Sequence, residues 1–283
     1  MAWRPLSQRL SGAQPDGPFE GIPDHILGGV AYWFEGICGY PYGRRHDTAW
    51  QEGPMKATAA RIRSDVGYRF SGQELMRALF SEGRADDDVF VDLIDAALSV
   101  WGSTRNQWEA LQRVLESGAS VWRVADDHES LTRVVSDQAQ ATFTSATSTA
   151  DEATKELKEA WSNAFGRNGD ASDAWDHAIK AVEDILIPVV VPNNSRATLS
   201  NVIGELGGQQ GALWEMVLPG NDQSHDVAPL VAMLRLMWPN HDRHGGGASG
   251  PKRTPSPEEA RAVVTLAATI VQWHREAWVV RRR

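Results

Sequence analysis

The spacing of apolar residues predicts amphipathic helices along most of the chain. The first lies in "HILGGVAYWFEGI", and "SGQELMRALF" opens a second with a capping box, in which Glu74 follows Ser71 by three residues. "VFVDLIDAALSVW" and "RNQWEALQRVLESG" predict two more helices, and Gly118 ends the latter. The apolar face of the first helix consists of Ile26, Val30, Trp33 and Phe34. The N-terminal part of the chain is therefore expected to be mostly helical.

The helical pattern is interrupted by "SVWRVADDHESLTRVV". Larger side chains alternate with their neighbours on both sides of an Asp-Asp-His turn, which predicts a small β-hairpin near residues 120–135. The following "SDQAQATFTSATSTA" is small and polar, as is typical of a linker or of the frayed start of a helix. We place the domain boundary in it, with an N-terminal domain over residues 1–145 and a C-terminal domain over residues 146–283.

From residue 150 onward, the pattern predicts five helices joined by short loops. Pro188 is expected to end the second helix and Pro239 the fourth, and the fifth begins with Ser256 as its cap and Glu259 closing a capping box. The first two helices carry long apolar stripes, namely Ala153, Leu157, Ala160, Trp161, Ala164 and Phe165, and then Trp175, Ala178, Ile179, Val182, Ile185 and Leu186. Short loops between amphipathic helices predict a helical bundle. The expected fold class is mainly α, with a mostly helical N-terminal domain that contains the small β-hairpin.

Composition narrows the classes of function. The chain has 283 residues and a net charge of −9, which argues against general electrostatic binding of nucleic acid or of an anionic membrane. A single cysteine, Cys38, excludes an internal disulfide and a cysteine-based zinc site, and it fits a reducing compartment. The N-terminus lacks the apolar segment of a signal peptide, and no window approaches the length of a membrane span. We therefore expect a cytoplasmic protein without a membrane segment.

One stretch, "LRLMWPNHDRHGGGASG", contains more ionisable and polar side chains than a connection between two helices needs. Its histidines titrate near neutrality, and its arginines can hold a phosphate through paired hydrogen bonds. A metal-independent ribonuclease uses such groups, because a histidine can activate the ribose 2′-hydroxyl and an arginine can stabilise charge on phosphorus. No metal ion and no cofactor is required. The alternative is a polar loop that joins two helices. The side chains concerned are Arg235, Asn240, His241, Asp242, Arg243 and His244.

Other polar clusters have simpler structural interpretations. The glycine-rich segments lack the Gly-Lys-Ser/Thr order of a phosphate-binding loop, and "GYPYGRRHD" is typical of a solvated turn. The three aspartates 86–88 are expected to begin a helix at Val89 rather than to bind a metal. We expect His177 at the surface and His274 on the packed face of the last helix.

Several segments resemble those of bacterial abortive-infection proteins, which act in phage defence. They are "VLESGASVWRV", "LKEAWSNAFGRNGDASDAWDHAIKAVEDILIPVVVP", "TLSNVIGEL", "LRLMWPNHDRHGG" and "SPEEARAVVTLAATIVQW". The resemblance extends from about residue 110 to 280 and is weak before that. It implies a variable N-terminal domain followed by a helical C-terminal domain of the HEPN type. HEPN domains are small bundles that usually dimerise, and many are metal-independent RNases in which paired motifs form one site across the dimer.

The resemblance implies two pairs of site residues. The HEPN motif, an arginine followed after four to six residues by a histidine, is met by Arg235 and His241, although Leu236 stands where a polar residue is common. The segment "DRHG" instead selects Arg243 and His244. We expect His244 to act as the acid or base, Arg243 to hold phosphate and Arg235 to assist. Asn240 and Asp242 would orient the others, and residues 245–247, all glycine, would let a nucleotide backbone approach.

Two classes of function follow from these expectations, and a third, a nucleotide-binding N-terminal domain, has no motif to support it. In the first, the N-terminal domain senses a phage-derived trigger, and the C-terminal domain then cuts RNA as a toxin. In the second, the chain is a non-catalytic sensor, RNA-binding or dimerisation module of a defence system. Either would act as a homodimer or a higher homo-oligomer. The two differ in whether His244 and an arginine face solvent in one groove.

Overall fold

The computed structural model describes residue 10 and residues 18–42, 47–102, 105–220, 223–238 and 253–283. Across these residues the chain is mainly α-helical, with twelve α-helices and three small antiparallel sheets of two strands each. The chain divides into two compact units, Met1–Val134 (unit 1) and Val135–Arg283 (unit 2). Each unit has its own hydrophobic core.

Unit 1 is built from six helices and two hairpins in its described part. Its elements are α1 (Asp24–Cys38), β1 (Gly39–Tyr42), β2 (Asp47–Trp50), α2 (Glu52–Arg61), α3 (Val66–Arg69), α4 (Gly72–Gly83), α5 (Asp87–Trp101), α6 (Arg105–Ser117), β3 (Trp122–Val124) and β4 (Leu131–Arg133). The core forms where α1 packs on α6, and α5 packs on α2 and α4. The largest side chains fully buried in it are Phe34, Met55, Leu75, Leu79, Leu93, Ile94, Leu111, Leu115 and Leu131.

The β-hairpin expected near residues 120–135 is present. β3 pairs antiparallel with β4, with Val124 opposite Leu131. The hairpin is bound to α5 through the side chain of Asp95, which is only 6% exposed. Its Oδ1 atom accepts a hydrogen bond from the Leu131 amide at 2.6 Å. A buried carboxylate is stabilised by such a charge-assisted hydrogen bond. Asp95 therefore fixes the hairpin on the helix.

The sequence predicted how the helices α5 and α4 begin, and the structure agrees with the acidic start predicted for α5 but not with the capping box predicted for α4. The three aspartates lie at the start of α5 as expected, but the helix begins at Asp87 rather than at Val89. Asp86 caps it by accepting hydrogen bonds from the amides of Asp88 and Val89 at 2.9 and 3.1 Å. α4 begins after Ser71, but the expected capping box does not form, because Ser71 makes no side-chain capping hydrogen bond. The Gly72 amide instead donates to the carboxylate of Glu52, on α2, at 3.0 Å. A contact from a neighbouring helix has replaced the local one.

The "GYPYGRRHD" segment was expected to be a solvated turn, and its described part is a second hairpin. Gly39 of β1 pairs with Trp50 of β2, and Tyr42 pairs with Asp47. Short strands with little alternation gave no signal for this pairing. Residues 43–46 lie outside the described part of the chain.

Unit 2 is a helical bundle with one small sheet in its described part. Its elements are α7 (Asp137–Ala146), α8 (Glu152–Phe165), α9 (Ala171–Val190), α10 (Leu199–Gly207), a 3-10 helix (Gln209–Leu213), β5 (Trp214–Met216), α11 (Ala228–Met237), α12 (Pro257–Glu276) and β6 (Val280–Arg282). α9 is central, because it packs against α8, α10 and α12, while α11 packs against α10 and α12. The apolar stripes expected on α8 and α9 are buried in the core.

The division between the units falls before α7, whereas the sequence placed the domain boundary at the C-terminal end of this helix, between residues 145 and 146. The segment, for which the sequence left open a linker or the frayed start of a helix, contains α7, which packs against α12. Ser136 caps this helix by accepting a hydrogen bond from the Ala139 amide at 3.2 Å. The residues that α7 buries, Thr142 and Ala146, are too small and too weakly apolar to produce a hydrophobic pattern.

Two further features of unit 2 differ from expectation. α9 does not end at Pro188 but continues to Val190, where the side chain is buried in the core. A proline in the last turn removes one hydrogen bond of the helix, and burial of the following residues outweighs that loss. The second feature is the pairing of β5 with β6, in which Trp214 lies opposite Arg282. Strands of three residues are too short to show alternation.

Candidate functional site

Most of the expected site lies outside the described residues. This applies to Asn240, His241, Asp242, Arg243 and His244, and also to the three glycines that follow them. Arg235 is the member of the predicted set that the structure describes. The candidate site is therefore defined by Arg235 and by the residues that flank segment 239–252 on either side.

Arg235 lies exposed in the last turn of α11. Its neighbours Leu234 and Met237 are fully buried, so the helix is held firmly while the arginine faces outward. The Nη2 atom of Arg235 lies against Gly207 at the end of α10, 3.2 Å from the position that a Cβ atom there would occupy. A cation at the carboxyl ends of two helices is favoured by their dipoles. Within the described residues, no carboxylate forms an ion pair with this guanidinium group.

The end of α11, just before segment 239–252, is anchored by a buried tryptophan. Trp175, on α9, donates a hydrogen bond from Nε1 to the carbonyl oxygen of Met237 at 2.7 Å. The last carbonyls of a helix have no partner within the helix, so this bond satisfies one of them in a buried position. It fixes the end of α11, and with it Arg235, to the centre of the bundle.

The residues after the segment are anchored by the start of α12. Ser256 and Glu259 form the expected capping box, in which the Ser256 amide donates to Glu259 Oε2 at 2.9 Å and the Glu259 amide donates to Ser256 Oγ at 3.3 Å. The Glu259 carboxylate also forms an ion pair with Arg253. The segment that holds the predicted histidines therefore starts and ends at fixed points of unit 2.

A second group of titratable side chains lies on α8 and α9. His177 was expected at the surface, but its ring is half-buried, and Nδ1 lies 2.6 Å from Oε2 of Glu156. Lys180 Nζ lies 3.9 Å from the same oxygen. A histidine oriented by a carboxylate is the arrangement of many acid–base catalysts, but it is also an ordinary contact between two helices. The sequence carried one signal, since Glu156 and His177 lie at the margins of two adjacent apolar stripes.

The same face of α8 and α9 is strongly acidic. Partial burial, together with the carboxylates of Glu156, Glu152 and Asp151, raises the pKa of Asp184. By contrast, a hydrogen bond from Arg275, which donates from Nη2 at 2.7 Å, lowers the pKa of Asp151. The difference arises because Asp151 has a guanidinium partner, whereas Asp184 is partly buried and faces several like charges.

His274 lies half-buried on α12, as its place in the apolar pattern suggested. Its Nδ1 atom is buried and has no hydrogen-bond partner among the residues that the structure describes. Burial, with a further contribution from the charge of Arg275, lowers the pKa of His274. This environment favours the neutral form of the ring.

Two other kinds of site have no support among the described residues. No group of three or more His, Cys, Asp or Glu side chains in this part of the chain is arranged to hold a metal ion. None of the described helices is both long enough and apolar enough to cross a membrane. Cys38 is buried, and burial raises the pKa of its thiol.

Comparison of the chain with protein-family models, with curated proteins and with solved structures gives no match in any of the three.

Proposed function

We propose that this chain is an abortive-infection protein whose C-terminal unit is a HEPN-like, metal-independent endoribonuclease that acts when triggered. The observation that carries the proposal is the setting of Arg235. Its guanidinium group is exposed, has no carboxylate partner within the described residues, and lies four residues before the start of segment 239–252, which contains His241, Arg243 and His244. An arginine without a partner is available to bind a phosphate.

In this proposal the segment supplies the remaining groups. His244 takes the proton from the ribose 2′-hydroxyl or gives one to the leaving oxygen, Arg243 holds the phosphate, and Arg235 stabilises the charge that develops on phosphorus. His241 is the alternative acid or base, and Asn240 and Asp242 orient these side chains. The anchors at Met237 and Arg253 favour such a role, because a catalytic loop needs fixed ends if its groups are to meet a substrate in one geometry.

A second function is supported by the residue beside Arg235. Leu236 is 71% exposed at the end of α11, whereas Leu230, Leu234 and Met237 of the same helix are buried. An exposed leucine beside an arginine favours a contact with another protein surface. We therefore keep, as the alternative, a non-catalytic sensor, RNA-binding or dimerisation module in which this end of α11 joins two copies of the chain.

The test is RNA cleavage by the purified full chain in excess EDTA. We expect His244→Ala to abolish cleavage and Arg235→Ala to reduce the rate by about 100-fold or more, the usual cost of removing one donor that stabilises transition-state charge. Arg196→Ala is the matched control, because Arg196 is another exposed arginine of unit 2 outside the candidate site. Its rate should equal that of the wild type.

Phage plating on cells that express each variant supplies whatever trigger the purified reaction lacks. Loss of protection in both His244→Ala and Arg235→Ala, but not in Arg196→Ala, would support the proposal. Cleavage that disappears with EDTA in the wild type, or that survives His244→Ala, would contradict it. If protection persists in His244→Ala and is lost in Leu236→Asp, the alternative function is correct.

A further inference from the structure

Unit 1 contains a cleft that the proposed function does not use. It lies between α1 and α4 and encloses about 260 Å³, close to the lower limit for sites that bind small molecules. α1 contributes Ala31 and Glu35, one helical turn apart, and α4 contributes the opposite wall. This wall consists of Met76, Arg77, Phe80 and Ser81 from α4 and of Arg84, the residue that directly follows the helix.

The wall from α4 combines two kinds of side chain through its helical spacing. Arg77, Ser81 and Arg84 are spaced four and three residues apart, so all three lie on one face of the helix. Met76 and Phe80 lie beside them and form an apolar floor. The cleft therefore has cationic and hydroxyl groups along one edge and an apolar surface below them.

The floor of the cleft is held rigidly. The ring of Phe80 is half-buried and meets Phe90 edge to face, with ring centroids 5.1 Å apart. It also lies 6.0 Å from the ring of Phe34, which is fully buried in the core. Aromatic pairs of this geometry stabilise the position of each ring. A planar group entering the cleft would meet a preformed surface.

The two arginines have no partner of opposite charge within the described residues. Neither Arg77 nor Arg84 forms an ion pair or a side-chain hydrogen bond in this part of the chain. Other arginines of unit 1 do, since Arg69 pairs with Asp65 and Arg133 with Glu20. Two free guanidinium groups beside a hydroxyl group, in a protein of net charge −9, form a local site for an anion.

We propose that this cleft binds a nucleotide. Guanidinium groups match the geometry of phosphate oxygens, and the Ser81 hydroxyl can donate a further hydrogen bond. The apolar floor at Phe80 and Met76 accepts the face of a base. Across the cleft, the exposed carboxylate of Glu35 accepts hydrogen bonds from an amino or hydroxyl group of the base or the ribose. A simple inorganic anion would use the arginines but neither the floor nor Glu35.

Glu35 also lines a second cleft, of about 300 Å³, on its other side. Tyr32 and Tyr40 lie at its surface with largely exposed rings. Exposed aromatic rings beside a phosphate site are suited to stacking of a second base. The first cleft is thus the site of one nucleotide, and the adjoining one extends it in the direction of a linked nucleotide.

Isothermal titration of the full chain tests the site, with AMP, GMP, CMP, UMP and inorganic pyrophosphate as separate probes. We expect at least one mononucleotide to bind saturably and more tightly than pyrophosphate. The double variant Arg77→Gln/Arg84→Gln should weaken it by about tenfold or more, the effect of removing a charged hydrogen-bond donor. Arg69→Gln, an exposed arginine outside the cleft, should bind as the wild type does.

Glu35→Gln distinguishes a nucleotide site from a general anion site. It should change the affinity of the protein for mononucleotides, whereas its affinity for pyrophosphate should not fall. All these side chains are exposed, so far-UV circular dichroism should show every variant folded. No binding of any mononucleotide, equal binding by the double variant, or binding of pyrophosphate at least as tight as that of every mononucleotide would overturn the proposal. None of these outcomes depends on RNA cleavage by unit 2.

Discussion

The hydrogen bond from Trp175 to Met237 can be isolated by comparing two tryptophans of unit 2. Trp175→Phe removes Nε1 and leaves the buried carbonyl oxygen of Met237 without its partner. Trp214 is buried to a similar degree, 6% exposed against 9%, but its Nε1 has no hydrogen-bond partner among the described residues. Trp214→Phe therefore removes the same atoms from the core and breaks no described hydrogen bond.

The loss of volume is common to both variants, so the difference between them reports the hydrogen bond. Leaving a buried acceptor without a hydrogen bond lowers the free energy of unfolding by about 1–3 kcal/mol. Removing a donor that has no partner breaks no hydrogen bond and carries no such cost. We expect the free energy of unfolding of Trp175→Phe to be about 2 kcal/mol smaller than that of Trp214→Phe. For a unit of this size that corresponds to roughly 4–8 °C in Tm.

Thermal unfolding of the full chain, followed by far-UV circular dichroism, measures the difference. If Trp214→Phe is as unstable as Trp175→Phe, the bond to Met237 contributes nothing and the end of α11 is held by apolar packing alone. RNA cleavage provides a second readout, since Trp175→Phe should lose more activity than Trp214→Phe if the anchor positions Arg235.

Two further predictions concern carboxylates with opposite environments. Asp95→Ala should destabilise unit 1 by about 2–4 kcal/mol in urea unfolding, because the buried amide of Leu131 loses its acceptor. A loss of stability smaller than that of the exposed control Asp65→Ala would refute this role. Asp184 has a raised pKa, so the folded protein binds its proton more tightly than the unfolded chain, and stability falls as pH rises through the pKa of the folded state. Asp184→Asn should therefore raise Tm at pH 7 and have no effect at a pH below the ordinary carboxyl pKa, and a lower Tm at pH 7 would contradict the sign.

Local signals in the sequence predicted much of the helical structure. The capping box of Ser256 and Glu259 and the acidic start of α5 at residues 86–88 are where the pattern placed them, because such signals involve residues only a few positions apart. The start of α4 shows the limit of this reasoning. Its amide is satisfied by Glu52 rather than by the local Ser71 box, since a carboxylate brought close by the fold competed successfully.

The candidate sites show the same limit more clearly. The exposure of Arg235 depends on which side of α11 the bundle covers, and its position over Gly207 depends on how α10 packs. The contact of His177 with Glu156 needs two helices side by side, and so does the cleft between α1 and α4. Each of these contacts joins residues from two helices that are separate in the sequence, so neither helix alone predicts the contact. The spacing of Arg77, Ser81 and Arg84 was visible, but the opposite wall was not.

The pairing of β6 with β5 has a consequence for synthesis of the chain. Every described element of unit 1 is complete at Arg133, so this unit can fold while the ribosome is still translating the rest. Unit 2 cannot close until residues 280–282 emerge, because they supply the partner strand for Trp214–Met216, and α12 immediately before them covers α7, α8 and α9. A nascent chain thus holds a finished N-terminal unit beside an unfinished bundle. If the bundle is a ribonuclease, the host is not exposed to its activity until residues 280–282 have been synthesised and have paired with Trp214–Met216.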